Sequence, residues 1–161
     1  MKKSCLSVCC VYLILLSVFS AAWAGPPAPS KPEAREKCPV CGMFVAKYPD
    51  FLAQTVFKDG KVFFFDGVKD MMKFIFRPDR YSPGRKVSDM IAVYVTDYYS
   101  MAPIDGRRAF YVIGSDVYGP MGRELIPFQM KNEAGEFLRD HKGKRILTFG
   151  EISPELIRKI D

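Results

Sequence analysis

Residues 51 to 76 read Phe-Leu-Ala-Gln-Thr-Val-Phe-Lys-Asp-Gly-Lys-Val-Phe-Phe-Phe-Asp-Gly-Val-Lys-Asp-Met-Met-Lys-Phe-Ile-Phe. Two runs rich in aromatic and β-branched residues, Phe51 to Phe57 and Val62 to Asp66, flank Lys58-Asp59-Gly60-Lys61. An Asp-Gly pair between such runs is the signature of a tight β-hairpin turn. Beyond the hairpin the apolar period lengthens: Val68, Met71, Met72, Ile75 and Phe76 fall at i, i+3, i+4, i+7 and i+8, the stripe of an amphipathic helix, which Pro78 ends. The polar face of that helix carries Lys69, Asp70 and Lys73.

Working toward the C-terminus, Met90 to Tyr98 reads as a further strand and completes a ββαβ order. The second half repeats it. Ala109 to Ser115 and Leu125 to Gln129 read as strands, Asn132 to His141 as a helix and Arg145 to Phe149 as a strand. Asn132 stands where a helix cap is expected, Ala134, Phe137 and Leu138 form the apolar face, and Gly143 closes the helix. A last short helix is expected after Ser153, with Pro154 in its first turn and Leu156, Ile157 and Ile160 facing inward. The expectation is an α+β domain of two consecutive ββαβ units with antiparallel sheets, spanning about 38–99 and 105–161. Two paired subdomains and one continuous core both satisfy this pattern.

Working toward the N-terminus, residues 25 to 37 combine four prolines with charged residues and hold no large apolar side chain, the composition of a flexible tether. Before them, Lys2 and Lys3, an apolar run from about Val8 to Phe19 and Ala22-Trp23-Ala24 form the expected signal peptide, residues 1–24. The run is shorter than the roughly 20 residues of a membrane span, so the exported chain is expected in the periplasm without an integral span. Cys5, Cys9 and Cys10 lie before or at the start of the apolar run, whereas a lipid-bearing cysteine follows it, so the pattern does not favour a lipoprotein. The formal charge of +6 loses Lys2 and Lys3 with the leader. The remaining basic residues are scattered, which argues against a nucleic-acid partner.

After cleavage only Cys38 and Cys41 remain of five cysteines, too few for a disulfide-built scaffold. They lie in Cys38-Pro39-Val40-Cys41-Gly42-Met43. Structural zinc requires four Cys or His ligands, and beyond this pair the chain offers the distant His141. A redox pair requires a strand before it and a helix starting at it, whereas here a tether precedes the pair and Gly42 follows. A soft-metal site gains from Met43, because thiolate and thioether sulfur select Cu(I), and Gly42 permits the tight turn that would converge the sulfurs. Met121, on the turn Gly119-Pro120-Met121-Gly122, is a second thioether candidate. His141 is explained by a helix C-terminus. Asp66, Asp97 and Asp105 adjoin strand ends without a catalytic spacing, and no serine, histidine and acid set is present, so an enzyme is not expected.

In their order, several segments resemble the NosL family of nitrous oxide reductase accessory proteins. They are the motif at 38–43, Phe-Phe-Asp-Gly at 64–67, Val-Thr-Asp-Tyr-Tyr at 95–99, Ala-Phe-Tyr-Val-Ile-Gly-Ser at 109–115, Gly-Pro-Met-Gly at 119–122 with Ile126-Pro127-Phe128, and Gly-Lys-Arg-Ile-Leu-Thr-Phe at 143–149. The resemblance implies a copper chaperone that is not an enzyme, with a fold like the core of organomercurial lyase. By position Cys41 and Met43 match the family's Cys-x-Met, and Met121 matches its methionine on the glycine turn. Cys38 marks a two-cysteine branch. The implied cargo is Cu(I), and the implied partner is a recipient periplasmic cuproenzyme such as nitrous oxide reductase, or a membrane copper transporter or assembly complex. Two readings stand beside it: a periplasmic thiol-disulfide oxidoreductase using Cys38 and Cys41, and an interaction module pinned by one disulfide.

Overall fold

The computed structural model describes residues 25–161, so the expected signal peptide at 1–24 lies outside the described residues. The hairpin forms as the sequence predicts: β1 (Ala53–Phe57) and β2 (Val62–Phe65) pair antiparallel, with Ala53 opposite Phe65 and Val56 opposite Val62. Helix α1 (Val68–Phe76) follows, then a single turn α2 (Pro78–Tyr81) that starts on the proline ending α1. Strand β3 (Met90–Thr96) returns beside β1, and a short strand β4 (Pro103–Asp105), absent from the sequence reading, adds an edge. The first sheet has the order β2-β1-β3-β4. The second sheet, in the order β6-β5-β7, is built from β5 (Phe110–Gly119), β6 (Gly122–Phe128) and β7 (Arg145–Thr148), with α3 (Lys131–Asp140) between β6 and β7. Helix α4 (Pro154–Ile160) closes the chain, its first turn capped by Ser153 Oγ accepting from Leu156 N–H, as expected.

The larger apolar cluster draws on both units: Phe57, Phe65, Met71, Phe74 and Val93 pack with Tyr111, Leu125, Leu147 and Ile157. The core is thus continuous, which the repeat pattern alone left open. Asp97 ties the units further, accepting from Ser100 N–H at 2.8 Å and from Gln129 N–H at 2.7 Å. Holding Gln129 in this way fixes the end of β6, so the chain turns at Met130 and α3 begins at Lys131. Asn132 therefore lies inside the helix and does not cap it, contrary to the expectation from its residue type. At the other end of α3, Lys142 takes the left-handed conformation (φ 56°) and Gly143 N–H donates back to Leu138 O. Gly143 is required there for space, since a Cβ would stand 2.7 Å from Val112 Cγ1.

The expected tether is laid against the first sheet. Ser30 N–H donates to Gln54 Oε1 (3.0 Å), Gln54 Nε2 donates to Ser30 O (3.1 Å), and Tyr94 Oη–H donates to Pro27 O (2.6 Å).

The largest departure from the sequence reading is the polar face of α1. Lys69 and Asp70 are only 1% and 2% exposed. Lys69 Nζ donates to Met121 O at 2.8 Å, which docks the β5–β6 turn on the helix start. Beside it, Glu124 of β6 is buried and its Oε1 accepts from Lys69 N–H (2.6 Å) and Leu125 N–H (2.9 Å). Gly67 at the cap position of α1 has no side chain to satisfy that first-turn N–H, so a carboxylate from the other unit performs the capping. On β5 the residues 114 to 117 stand opposite Glu124 alone, a bulge at the point where the carboxylate turns inward.

Two predictions follow from this junction. Gly67 has an extended backbone (φ −176°) that alanine could adopt, but its Cβ would lie 2.2 Å from Glu124 Oε2. Gly67→Ala is expected to cost about 2–3 kcal/mol, the scale of overpacking in a closed site, read as a lower urea midpoint. Burial, only partly offset by the two N–H donors, raises the Glu124 carboxyl from 4.5 to about 7. An acid with a raised folded pKa holds its proton more tightly when folded, so this contribution is full below pH 4.5 and is lost as pH climbs to about 7. The loss is on the order of 3 kcal/mol. Urea unfolding at pH 5 and pH 8 should show it in the wild type and a much smaller loss in Glu124→Gln; equal losses would refute it.

Candidate metal site

The segment 38–43 closes on itself. Cys38 N–H donates to Met43 O and Gly42 N–H to Cys38 O, both at 2.9 Å, while Lys37 and Phe44 pair as an antiparallel bridge at its base. Gly42 takes φ 79°, a left-handed conformation that side chains disfavour, so the turn anticipated from the sequence does depend on glycine there. The turn aims the amides of Cys41 and Val40 at the Cys38 sulfur and the amide of Met43 at the Cys41 sulfur. Such donors favour thiolates.

The facing wall is the junction of β2 and α1. Asp66 follows β2, just ahead of the Gly67 cap, and Asp70 lies in the first turn of α1, so the bend from strand to helix brings both carboxylates to the cysteine loop. One donor atom from each of Cys38, Cys41, Asp66 and Asp70 lies within 4.8 Å of all the others. Cys41 Sγ–H donates to Asp66 Oδ1 (3.1 Å), and Cys38 Sγ–H to Asp70 Oδ2 (3.6 Å). Both cysteines are free thiols; Cys38 is buried and Cys41 half-buried. Burial is the main cause that pushes the Cys38 thiol up to about 12, and it raises Cys41 as well.

Asp66 and Asp70 are 1% and 2% exposed, and Asp66 Oδ2 and Asp70 Oδ1 make no hydrogen bond among the described residues. Asp70 Oδ1 has the Lys73 ammonium at 3.1 Å as an ion-pair partner. Asp66 has no ion pair among the described residues. A buried polar atom left without a partner costs about 1–3 kcal/mol, and buried charges are ordinarily paired or coordinate a metal. Two converging thiols beside an unpartnered buried carboxylate oxygen form a pocket suited to a cation.

Of the four residues singled out from sequence, Cys38 and Cys41 come together here. Met43 is half-buried in the same loop. Met121 sits at the tip of the β5–β6 hairpin, 43% exposed, its carbonyl fixed by Lys69 one residue from Asp70. Asp66 and Asp70 were missed as site residues. Asp66 read as a strand-end acid and Asp70 as part of a solvated helix face; they meet only through the bend between β2 and α1, which leaves no local pattern in the sequence. His141 stays outside the group, its Nδ1 3.0 Å from Asp116 Oδ1 and its ring stacked on Phe137 at 4.3 Å. Nor does the cysteine pair start an α-helix, because a single 3-10 turn, Val45–Lys47, comes next.

A model of the NosL family matches residues 29–157. The copper-binding lipoprotein NosL of Stutzerimonas stutzeri is 30% identical over 126 residues, a match that takes in 77% of this chain and 65% of that protein's length. The crystal structure of the copper chaperone NosL from Shewanella denitrificans is similar with a TM-score of 0.68 and 26% identity, over 81% of this chain and 99% of that one. The solution structure of apo-NosL from Achromobacter cycloclastes matches with a TM-score of 0.46 and 25% identity, over 65% and 87%. None of these relatives bears the name of an enzyme. With its residues 29–157 matched by the family model, and with an α+β fold of antiparallel sheets shared with a solved NosL structure, the chain belongs to the NosL family.

Proposed function

We infer that this chain is an exported copper chaperone that takes up Cu(I) through Cys38, Cys41, Met43 and Met121 and passes it to a periplasmic cuproenzyme or a membrane copper assembly complex. The observation that carries the reading is the convergence of two thiols, with amides aimed at both sulfurs, in a loop that also holds Met43. Soft sulfur donors select Cu(I). The sulfurs also form a gradient of access, from exposed Met121 through half-buried Cys41 and Met43 to buried Cys38. Copper enters at the thioethers, is held at the thiols, and leaves by ligand exchange in the reverse order. Nitrous oxide reductase is the recipient that the family resemblance suggests. Export to the periplasm is in keeping with the lipoprotein name of the S. stutzeri relative.

The test is an anaerobic Cu(I) competition titration of the reduced protein, with copper K-edge absorption on the saturated sample. One tightly bound ion with a sulfur-dominated shell is expected; no binding above that of a Cys38→Ser, Cys41→Ser double variant would sink the reading. Met43→Leu and Met121→Leu should each weaken Cu(I) about tenfold, about 1.4 kcal/mol, while leaving the urea midpoint unchanged. A variant whose copper affinity equals the wild type's would remove that methionine from the site. The oxidoreductase alternative fares worse, since an attacking thiol needs a lowered pKa and burial here raises both.

A further inference from the structure

A groove of about 450 Å³ opens beside the cysteine loop, between the α1–α2 segment and α4, and Val40, which stands between the two cysteines, contributes to its wall. Phe76 and Tyr81 are half-buried and Ile157 is 3% exposed, so with Val40 they form an apolar floor, whereas Arg77, Arg80 and Arg158 stand exposed around it. Arg80 is oriented by its neighbour: the guanidinium carbon lies 5.5 Å from the Tyr81 ring centroid, and that ring stacks on Phe74 at 6.2 Å. An arginine laid on an aromatic face keeps its fork of N–H donors available for a carboxylate.

Four cations and one carboxylate line the groove. The carboxylate, Asp161, is engaged by Lys73 and lies 3.5 Å from Lys69 Nζ. Arg77 pairs with Asp79 at 3.6 Å and Arg158 with Glu155 at 3.1 Å, close neighbours in the chain, and the four side chains are 64–69% exposed. Such surface pairs are worth about 0–1 kcal/mol, so an incoming carboxylate can replace either acid. Arg80 makes no ion pair among the described residues.

An apolar floor under a rim of arginines complements an extended acidic segment that carries apolar side chains between its carboxylates. A flat layer of anionic lipid headgroups would meet the rim and leave the floor uncovered. The groove also adjoins the metal pocket, because Lys73 lines it and pairs with Asp70 Oδ1 at 3.1 Å, while Asp70 Oδ2 accepts from Cys38 Sγ–H at 3.6 Å.

We propose that this groove docks an acidic, extended segment of the protein that receives the copper, and so brings that protein to the cysteine loop. Naming the copper recipient as the owner of the segment rests on the chaperone reading; the preference of the groove for acidic segments does not.

The experiment is fluorescence anisotropy of the metal-free and the Cu(I)-loaded protein with a short labelled peptide of glutamates interspersed with leucines, beside a control in which lysines replace the glutamates. The acidic peptide is expected to bind and the basic one not. Its affinity should fall about tenfold between about 0.1 M and 1 M salt, where the Debye length shrinks from about 10 to 3 Å. Arg77→Gln and Arg80→Gln should each weaken it about tenfold with the urea midpoint and the Cu(I) affinity unchanged. Equal binding of the two peptides, indifference to salt, or wild-type binding by both arginine variants would overturn the proposal. So would phosphatidylglycerol vesicles that bind the wild type while the acidic peptide does not, since the basic rim would then belong to a membrane contact. The salt dependence of the wild type decides even if a variant fails to fold. Absence of Cu(I) binding sinks the chaperone reading alone and leaves the peptide result standing, and absence of peptide binding leaves the copper titration untouched.

Discussion

Cu(I) affinity is expected to climb about a hundredfold for each pH unit between 7 and 9, because each of two thiols must shed a proton to become a ligand. A cysteine in water has a pKa near 8.5, so an ordinary pair would lose this dependence as pH passed that value. Here burial outweighs the amides aimed at the sulfurs, pushing the Cys38 thiol up to about 12 and raising Cys41 too. The metal-free pocket therefore keeps both protons across the whole window, and the steep dependence persists to pH 9. Competition titrations at half-unit intervals measure this. A slope of two in log affinity per pH unit supports two buried thiol ligands; a slope of one would leave Cys38 or Cys41 outside the copper shell. A plateau above pH 8.5 would mean that the thiols are ordinary.

The same burial bears on release. Protonation favours the metal-free state, so a recipient whose ligands are already deprotonated draws copper from this site more readily at lower pH.

Much of the fold was legible because its signals are local. The Asp59-Gly60 turn, the apolar stripe from Val68 to Phe76 and the Ser153-Pro154 start each concern a few neighbouring residues, and each formed where the spacing put it. The misreadings share a different cause. Lys69 and Asp70 were taken for a solvated helix face because only helical period was visible, while their burial depends on β6 and the cysteine loop, about fifty and thirty residues away in sequence. Glu124 caps a helix in the other unit, a relation without a sequence motif. Strand β4 is three residues long and is defined by its pairing to β3, so its own composition could not reveal it. The motif supplied the two thiols, but the carboxylates facing them needed the β2–α1 junction to be built first.

Replacing Cys41 by serine is expected to lower Cu(I) affinity by roughly three orders of magnitude, about 4 kcal/mol, the largest loss of any single substitution in the pocket. The change exchanges a soft sulfur for a hard hydroxyl oxygen that does not ionise at these pH values. It does so at the half-buried position, so the effect should fall on binding and not on folding. Cys41 Sγ donates to Asp66 Oδ1 at 3.1 Å, a bond that the serine hydroxyl can also make. Its urea midpoint should therefore stay close to that of the wild type, whereas Cys38→Ser, which places a hydroxyl in a site 1% exposed within the main apolar cluster, should lose stability as well as copper. Titration and urea unfolding of both variants separate the two roles. Equal copper affinity in Cys41→Ser and wild type would show that the ion is held elsewhere. A stability loss in Cys41→Ser as large as in Cys38→Ser would show instead that the loop is one packed unit, in which ligand and scaffold cannot be separated.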